Sequence, residues 1–458
     1  MPAKLSKFTV ETESCQIFTH PWTDSCITAQ VGLGLHAFQE SLRIYSTVYF
    51  ITLLMRGKKP SKNDVIKTVL GILQSTAFLS WSALTYPVFI CFFRKILGNF
   101  NILTVSFLPS FLSSLSAILI ERPSRRPMLC LYVANIATET LFRMAVWRGY
   151  IKPIPYGNVY IFAAGMATLL YLLRSRSSKD SIFKIIKFAV GPYEDPEYVD
   201  NQIKCDELSS DRRGRPITDR SKSSFNIVRQ SLRIYQDIIN WIKSSKKHIS
   251  CPHPHSCVYF VLTGSAKLFG AGLCAQIGLK LALQFRKIFT KSGMRKDVIF
   301  NKANLNLAIF LGGFSGIYRL LSCSLRRICE TNSAFHAIPA GLIASVAFVM
   351  FPNNTIALYV MWKALQLLWN RGVEDKKLPE IKGFVIFFYC FCTAVLFHAA
   401  IIEPQNLRVS YWKFLSTLSG GRVAAMSRTP LDMFGLESSK YLKDILKMTN
   451  TSDKWPSF

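Results

Sequence analysis

Ten apolar stretches punctuated by basic loops constrain this chain more than any other feature. A helix needs about 20 apolar residues to cross a hydrocarbon core about 30 Å thick. The first five are Val31–Met55, Val65–Phe93, Ile102–Ile120, Met128–Trp147 and Val159–Leu173. The second five are Val258–Leu283, Leu305–Leu325, Ala334–Phe351, Ile356–Trp369 and Phe384–Ile402. Half of the residues are hydrophobic, yet 56 Lys and Arg stand against 27 Asp and Glu, a formal net charge of +29. That much apolar surface excludes a disordered chain. A nucleic-acid binder would gather its basic residues into one patch on a polar domain, whereas here they mark the ends of apolar segments. No nucleic-acid partner is therefore expected. The predicted fold class is all-α, a polytopic membrane helix bundle.

The two sets look like a duplication. Leu131-Tyr132-Val133 recurs 227 residues later as Leu358-Tyr359-Val360. The same offset matches Ala137 with Ala364 and Leu141 with Leu368. A second correspondence is less generic: Cys15, His20-Pro21 and Ser25-Cys26 precede the first set, and Cys251, His253-Pro254 and Ser256-Cys257 precede the second. The expected organisation is two repeated halves of four or five spans each. A Cys/His segment occupies residues 1–30, a first membrane half 31–191, a basic linker with an amphipathic helix 192–250, a second membrane half 251–402 and a polar tail 403–458. Glu40 and Arg43 interrupt Val31–Met55, for which an interfacial helix is the alternative to a span. Met1–Ser14 has no apolar core, so it does not read as a secretory signal; with two glutamates and no arginine it makes a poor mitochondrial presequence, and insertion is expected to use internal segments. Lys and Arg crowd the loops after the first, third and fifth segments, which puts the linker in the cytosol if all five cross.

Several runs resemble the transmembrane protein 135 family: Glu40-Ser41-Leu42-Arg43-Ile44-Tyr45, Ala117 to Arg122, Ala137 to Met144, His336 to Gly341, and Ser410 to Leu415. The resemblance extends over nearly the whole chain except the linker. More remotely the chain resembles the channel-forming proteins of mitochondrial inner-membrane translocases. It implies a non-enzymatic protein of mitochondrial and peroxisomal membranes that affects fission and fusion, peroxisome organisation, and lipid and cholesterol handling. A cytosolic dynamin-type fission machinery is the protein partner that this implies. The alternative is a transporter or channel-like protein for a lipid or small solute, suggested by the duplication and by charges inside spans.

Enzyme signatures are thin: no Walker A motif, nucleophile elbow or His-Glu-x-x-His occurs. The candidate metal ligands are Cys15, His20, Cys26, Cys251, His253 and Cys257, a donor set suited to structural zinc. Neither segment alone has ordinary zinc spacing, so a pooled site joining the halves is one reading; thiols beside turn-forming His-Pro pairs are the other. Cysteines within apolar stretches, Cys91 and Cys323 among them, read as small core residues. Glu139 and Arg143, at i and i+4, form a candidate intramembrane ion pair. Lys363, Arg319, Lys267 and Lys280 show no local partner and are expected to reach for the interface. Ile182–Val190 and Phe225–Ile242 are amphipathic with basic flanks, which suits the bilayer interface, anionic lipid headgroups or the bundle's own surface.

Overall fold

The computed structural model describes residues 12–55, 60–175, 180–198, 236–290 and 305–451. The described residues form helices and no β-strand. In chain order they are α1 (Cys15–Thr19), α2 (Cys26–Met55), α3 (Lys62–Leu97), α4 (Leu108–Ile118), α5 (Arg126–Trp147), α6 (Gly157–Ser175) and α7 (Ser181–Val190). There follow α8 (Cys257–Thr290), α9 (Leu305–Cys329), α10 (Ala337–Ala344), α11 (Asn354–Glu374), α12 (Phe384–Ile402), α13 (Val409–Ser419), α14 (Arg422–Ala425) and α15 (Ser438–Thr449). Most of the linker, including Phe225 to Tyr235, lies outside the described residues.

Local chemistry sets the helix ends. Ser61 accepts from the Asp64 amide at 3.2 Å while the Asp64 carboxylate accepts from the Ser61 amide at 3.2 Å, a capping box that starts α3. Gly98, at φ 70°, ends it in the left-handed conformation that an L side chain resists. Asn353 caps α11 by accepting from the Ile356 amide at 3.2 Å, a local role for a residue that heads an Asn-x-Thr sequon.

Among the described residues, six helices are long and apolar enough to cross a membrane: Lys62–Leu97, Arg126–Trp147, Gly157–Ser175, Cys257–Leu281, Leu305–Cys329 and Phe384–Ile402. This is a multi-pass membrane protein. Leu103–Ile118 and Ala334–Met350 are apolar but shorter. The expected spans Val31–Met55 and Ile356–Trp369 fall in α2 and α11, which are not among the six; each carries charge at its middle, Glu40 and Arg43 in one and Lys363 in the other.

The helices gather into two compact units, one from residues 1–153 with 379–458 and one from residues 154–378. These units divide the chain differently from the sequence halves. In the first unit α2 packs on α3, and α12 packs on α4 and α5. In the second, α8 packs on α9, and α6 packs on α10 and α11. A shift of 227 residues carries α6 onto both ends of α12 and brings α5 within one residue of α11. α6 therefore packs against the counterparts of its own sequence neighbours, and α12 does the reverse. The last helices of the two sets are exchanged.

Ion pairs accompany the exchange with opposite sign. Glu139 on α5 pairs with Arg143 at 2.5 Å and also with Arg408, which precedes α13. Lys363 on α11 pairs with Asp180, the N-cap of α7, at 2.7 Å, and donates to Gln366 at 3.0 Å. Docking within its own set would bring Asp180 towards Glu139 and Arg408 towards Lys363, like charges in both cases. Lys363 thus has a partner 183 residues away, invisible to a local search. Arg319 likewise finds partners inside its unit: it is buried, donates to the Phe260 carbonyl at 3.0 Å and lies 4.4 Å from that ring's centroid. Lys267 sits over Phe188 at 4.8 Å. α7 buries Phe183, Ile186 and Val190 in its unit, which is the bundle-surface reading of that amphipathic segment. Gly312 faces α8, where an added Cβ would stand 2.9 Å from Phe269 Cβ, so this small-residue step serves packing inside the unit.

The second unit also contains a buried carboxylate. Glu194 receives Arg326 in a bidentate pair at 2.8 and 3.0 Å, with Arg174 at 3.5 Å. Burial by itself would raise its pKa, but Arg326 and Arg174 outweigh that and hold the carboxyl below its ordinary range. A depressed folded pKa makes the stabilisation complete above the unfolded value and loses it as pH falls through the folded value. Glu194→Gln should cost about 3–5 kcal/mol at neutral pH, because two guanidinium groups lose their buried partner. The gap from wild type should close on acidification below about pH 4. Thermal melts of detergent-solubilised protein across pH would check this, and a pH-independent gap would contradict it.

Candidate metal centres and a neighbouring cavity

Each Cys/His segment is completed inside its own unit by one cysteine from a long helix. In the first unit Cys15 opens α1, His20 ends it, Cys26 opens α2 and Cys91 comes from α3. In the second, Cys251 and His253 lie in the loop before α8, Cys257 opens α8 and Cys323 comes from α9. In each set one donor atom per residue lies within 4.8 Å of all the others. Both sets are three thiols and one imidazole.

The distances fit a tetrahedral ion. With Zn–S about 2.3 Å and Zn–N about 2.0–2.1 Å, a tetrahedron has S···S edges of about 3.8 Å and S···N edges of about 3.5 Å. Cys15 and Cys26 sulfurs stand 3.6 Å apart, and Cys251 and Cys257 sulfurs 3.8 Å. His253 Nε2 is 3.5 Å from the Cys323 sulfur, and His20 Nε2 is 3.9 Å from that of Cys91. All of these cysteines are free thiols.

Both histidines are held in the tautomer that a metal needs. Nδ1 of His20 lies 2.9 Å from the Thr23 carbonyl, and Nδ1 of His253 lies 2.6 Å from the His255 carbonyl. A carbonyl only accepts, so Nδ1 carries the proton and Nε2 turns its lone pair to the thiols. His255 is thus a backbone support and not a ligand. His253 also stacks on Phe260 at 4.6 Å. Burial, then the neighbouring Cys26, pushes the Cys15 thiol up, whereas hydrogen bonding from Cys323 pulls Cys251 down. Two neutral thiols this close to a third donor gain little, while a cation would take all three as thiolates.

The six ligands named from sequence all fall in these sets, three in each. Four donors meet within each unit, so no pooling across the halves is needed. Cys91 and Cys323, read from the sequence as small core residues, complete these two candidate sets. The signal for them was spacing: Cys91 lies 65 residues after Cys26, and Cys323 lies 66 after Cys257.

Residues 12–146 match the family described as the N-terminal cysteine-rich region of Transmembrane protein 135. That match supports the resemblance to the transmembrane protein 135 family over this region. The matched region contains the whole first centre, Cys15, His20, Cys26 and Cys91, together with Glu139 and Arg143. The second centre lies beyond the matched region. No solved structure matches the chain.

Beside the first centre the same unit encloses a cavity of about 240 Å³. Phe78 and Tyr86 of α3, Tyr389 and Phe397 of α12, and Tyr411 and Leu418 of α13 form its apolar walls. Thr19, His20 and Trp22 of the Cys/His segment line it as well, and so does Arg422 of α14.

Proposed function

We propose that this chain is a non-enzymatic protein of mitochondrial and peroxisomal membranes. It acts on the balance of fission and fusion and on peroxisome organisation by handling membrane lipid, and each Cys/His centre holds one structural Zn²⁺. The family match over residues 12–146 supports the setting, and the apolar cavity of the first unit is the observation that supports lipid handling. Pockets that enclose small molecules are mostly apolar with a few placed polar groups, which describes this one. Zinc bound there supplies no reaction; it ties a short segment to a long helix. The basic flanks of the bundle suit anionic headgroups, and the cytosolic fission machinery is the protein partner this reading names.

The transporter reading draws on the same repeat but needs charges facing a polar path. Glu139 is instead taken up by Arg143 and Arg408, and Lys363 by Asp180. That favours charges that fix helix positions.

The test is replacement in cells lacking the protein. Ala83, which lines the cavity, is changed to Phe, and mitochondrial length, peroxisome number and organelle lipid composition are measured against wild type. The filled variant should reach the same membranes at the same level and fail to restore all three. Full restoration by a stably expressed filled variant would end the lipid-handling reading.

A further inference from the structure

We infer that the first Cys/His centre controls the cavity beside it, and that the cavity takes the tail of a neutral lipid bearing a single hydroxyl or carbonyl group. This rests on the lipid-handling reading and adds a ligand class and a means of control.

Three observations meet here. First, His20 belongs to both places: its Nε2 faces the thiols, and the residue lines the cavity with Thr19 and Trp22. Second, Thr19 and Tyr86 line the cavity, are 3% and 7% exposed, and leave their hydroxyl oxygens without a protein hydrogen-bond partner. A buried hydroxyl is costly unless something bonds to it. The rest of the lining is largely hydrocarbon and aromatic ring, so the matching ligand is apolar with one small uncharged polar group. A basic headgroup would meet Arg422, and the lining contains no Asp or Glu. Third, the wall that carries Thr19 and His20 cannot hold its own shape. α1 is five residues long, far below the length at which a helix is stable alone. It is held by burial of Phe18 against Phe100, by the Ser427 amide donating to the Phe18 carbonyl at 3.1 Å, and by the four-ligand centre.

The second centre is the internal control. Its four residues are not part of this cavity's lining; His253 packs on Phe260 instead. The first centre is also the more open one: three of its ligands are half-buried, against one in the second. It is the one that a chelator or oxidant reaches first.

The experiment uses the full chain, purified and reconstituted in neutral phosphatidylcholine nanodiscs. A diazirine-bearing long-chain alcohol, the matching fatty acid and the matching phosphatidylcholine are photolysed with it in parallel. The alcohol should label peptides around Phe78–Pro87 and Tyr411–Met426, at least fivefold above the phospholipid. Ala83→Phe should remove that labelling. Cys26→Ser should lower it severalfold, and Cys257→Ser should leave it unchanged, although each variant loses one zinc. Since Cys26→Ser could misfold, wild type is also stripped with a chelator and reloaded; labelling should fall and return. Stronger labelling by the fatty acid would overturn the neutral-ligand assignment, because a carboxylate would then be answering Arg422. Equal loss from the two cysteine variants, or labelling indifferent to zinc, would overturn control by the first centre. Failure here shows in purified protein. Failure of the cellular reading would show as normal labelling with unaffected organelles.

Discussion

Purified protein should contain two zinc ions per chain, and Cys323→Ser or Cys91→Ser should each reduce that to one. The expectation comes from a ligand that is far away in sequence and immediate in space. Cys323 lies on α9, and its sulfur is 3.5 Å from His253 Nε2. Removing it leaves two thiols and an imidazole, an incomplete structural site. Structural zinc in small peptides is worth about 10–16 kcal/mol of apparent binding energy, so its loss should be the largest single effect available in this chain. The melting temperature of the affected variant should fall by more than that of any apolar-core cysteine variant. Cys130, Cys390 and Cys392 are buried thiols outside both sets, and Cys390→Ser should keep two zinc ions. Elemental analysis of folded protein decides the matter. No metal in wild type, or two ions retained by Cys323→Ser, would be fatal to the assignment.

The second large effect is expected from charge. Lys363→Glu puts a carboxylate beside Asp180 in a site where both side chains are less than a third exposed, and should cost about 3–5 kcal/mol. Lys363→Glu with Asp180→Lys should recover most of it, since the pair is re-formed with its sign reversed. A different double change separates the exchanged arrangement from simple pairing. Glu139→Lys with Lys363→Glu keeps the overall charge, yet sets like charges facing each other in both units. It should be at least as destabilised as either single variant. Thermal melts and limited proteolysis would read these differences. A melting temperature unchanged by Lys363→Glu, or restored by the second double variant, would contradict the argument.

How much was legible beforehand depended on whether the signal was local. Apolar length and basic punctuation are properties of consecutive residues, and they predicted the all-α multi-pass bundle directly. The Cys/His segments stood out because Cys, His-Pro and Ser-Cys recur in the same order in two polar stretches. Glu139 and Arg143 were visible because i and i+4 share a helix face. The rest was hidden for one reason. Cys91, Cys323 and Lys363 lie in apolar helices and gain their roles from residues 71, 70 and 183 positions away. In a membrane helix a lone cysteine looks like packing and a lone lysine looks like an interface residue until the opposing helix is in place.

By itself, then, the sequence determined the membrane class and brought out six of the eight residues of the candidate metal sets, since both follow from short-range pattern. The tertiary structure alone brought in the two remaining thiols and the division into two candidate metal sets. It also decided which helix faces which, with α6 and α12 exchanged between the units. Hydrophobic helices of similar composition can pack on many partners at nearly equal energy. The discriminating energies come from a few polar contacts with an oriented partner: thiols around one point, an imidazole fixed by a carbonyl, and ion pairs of opposite sign.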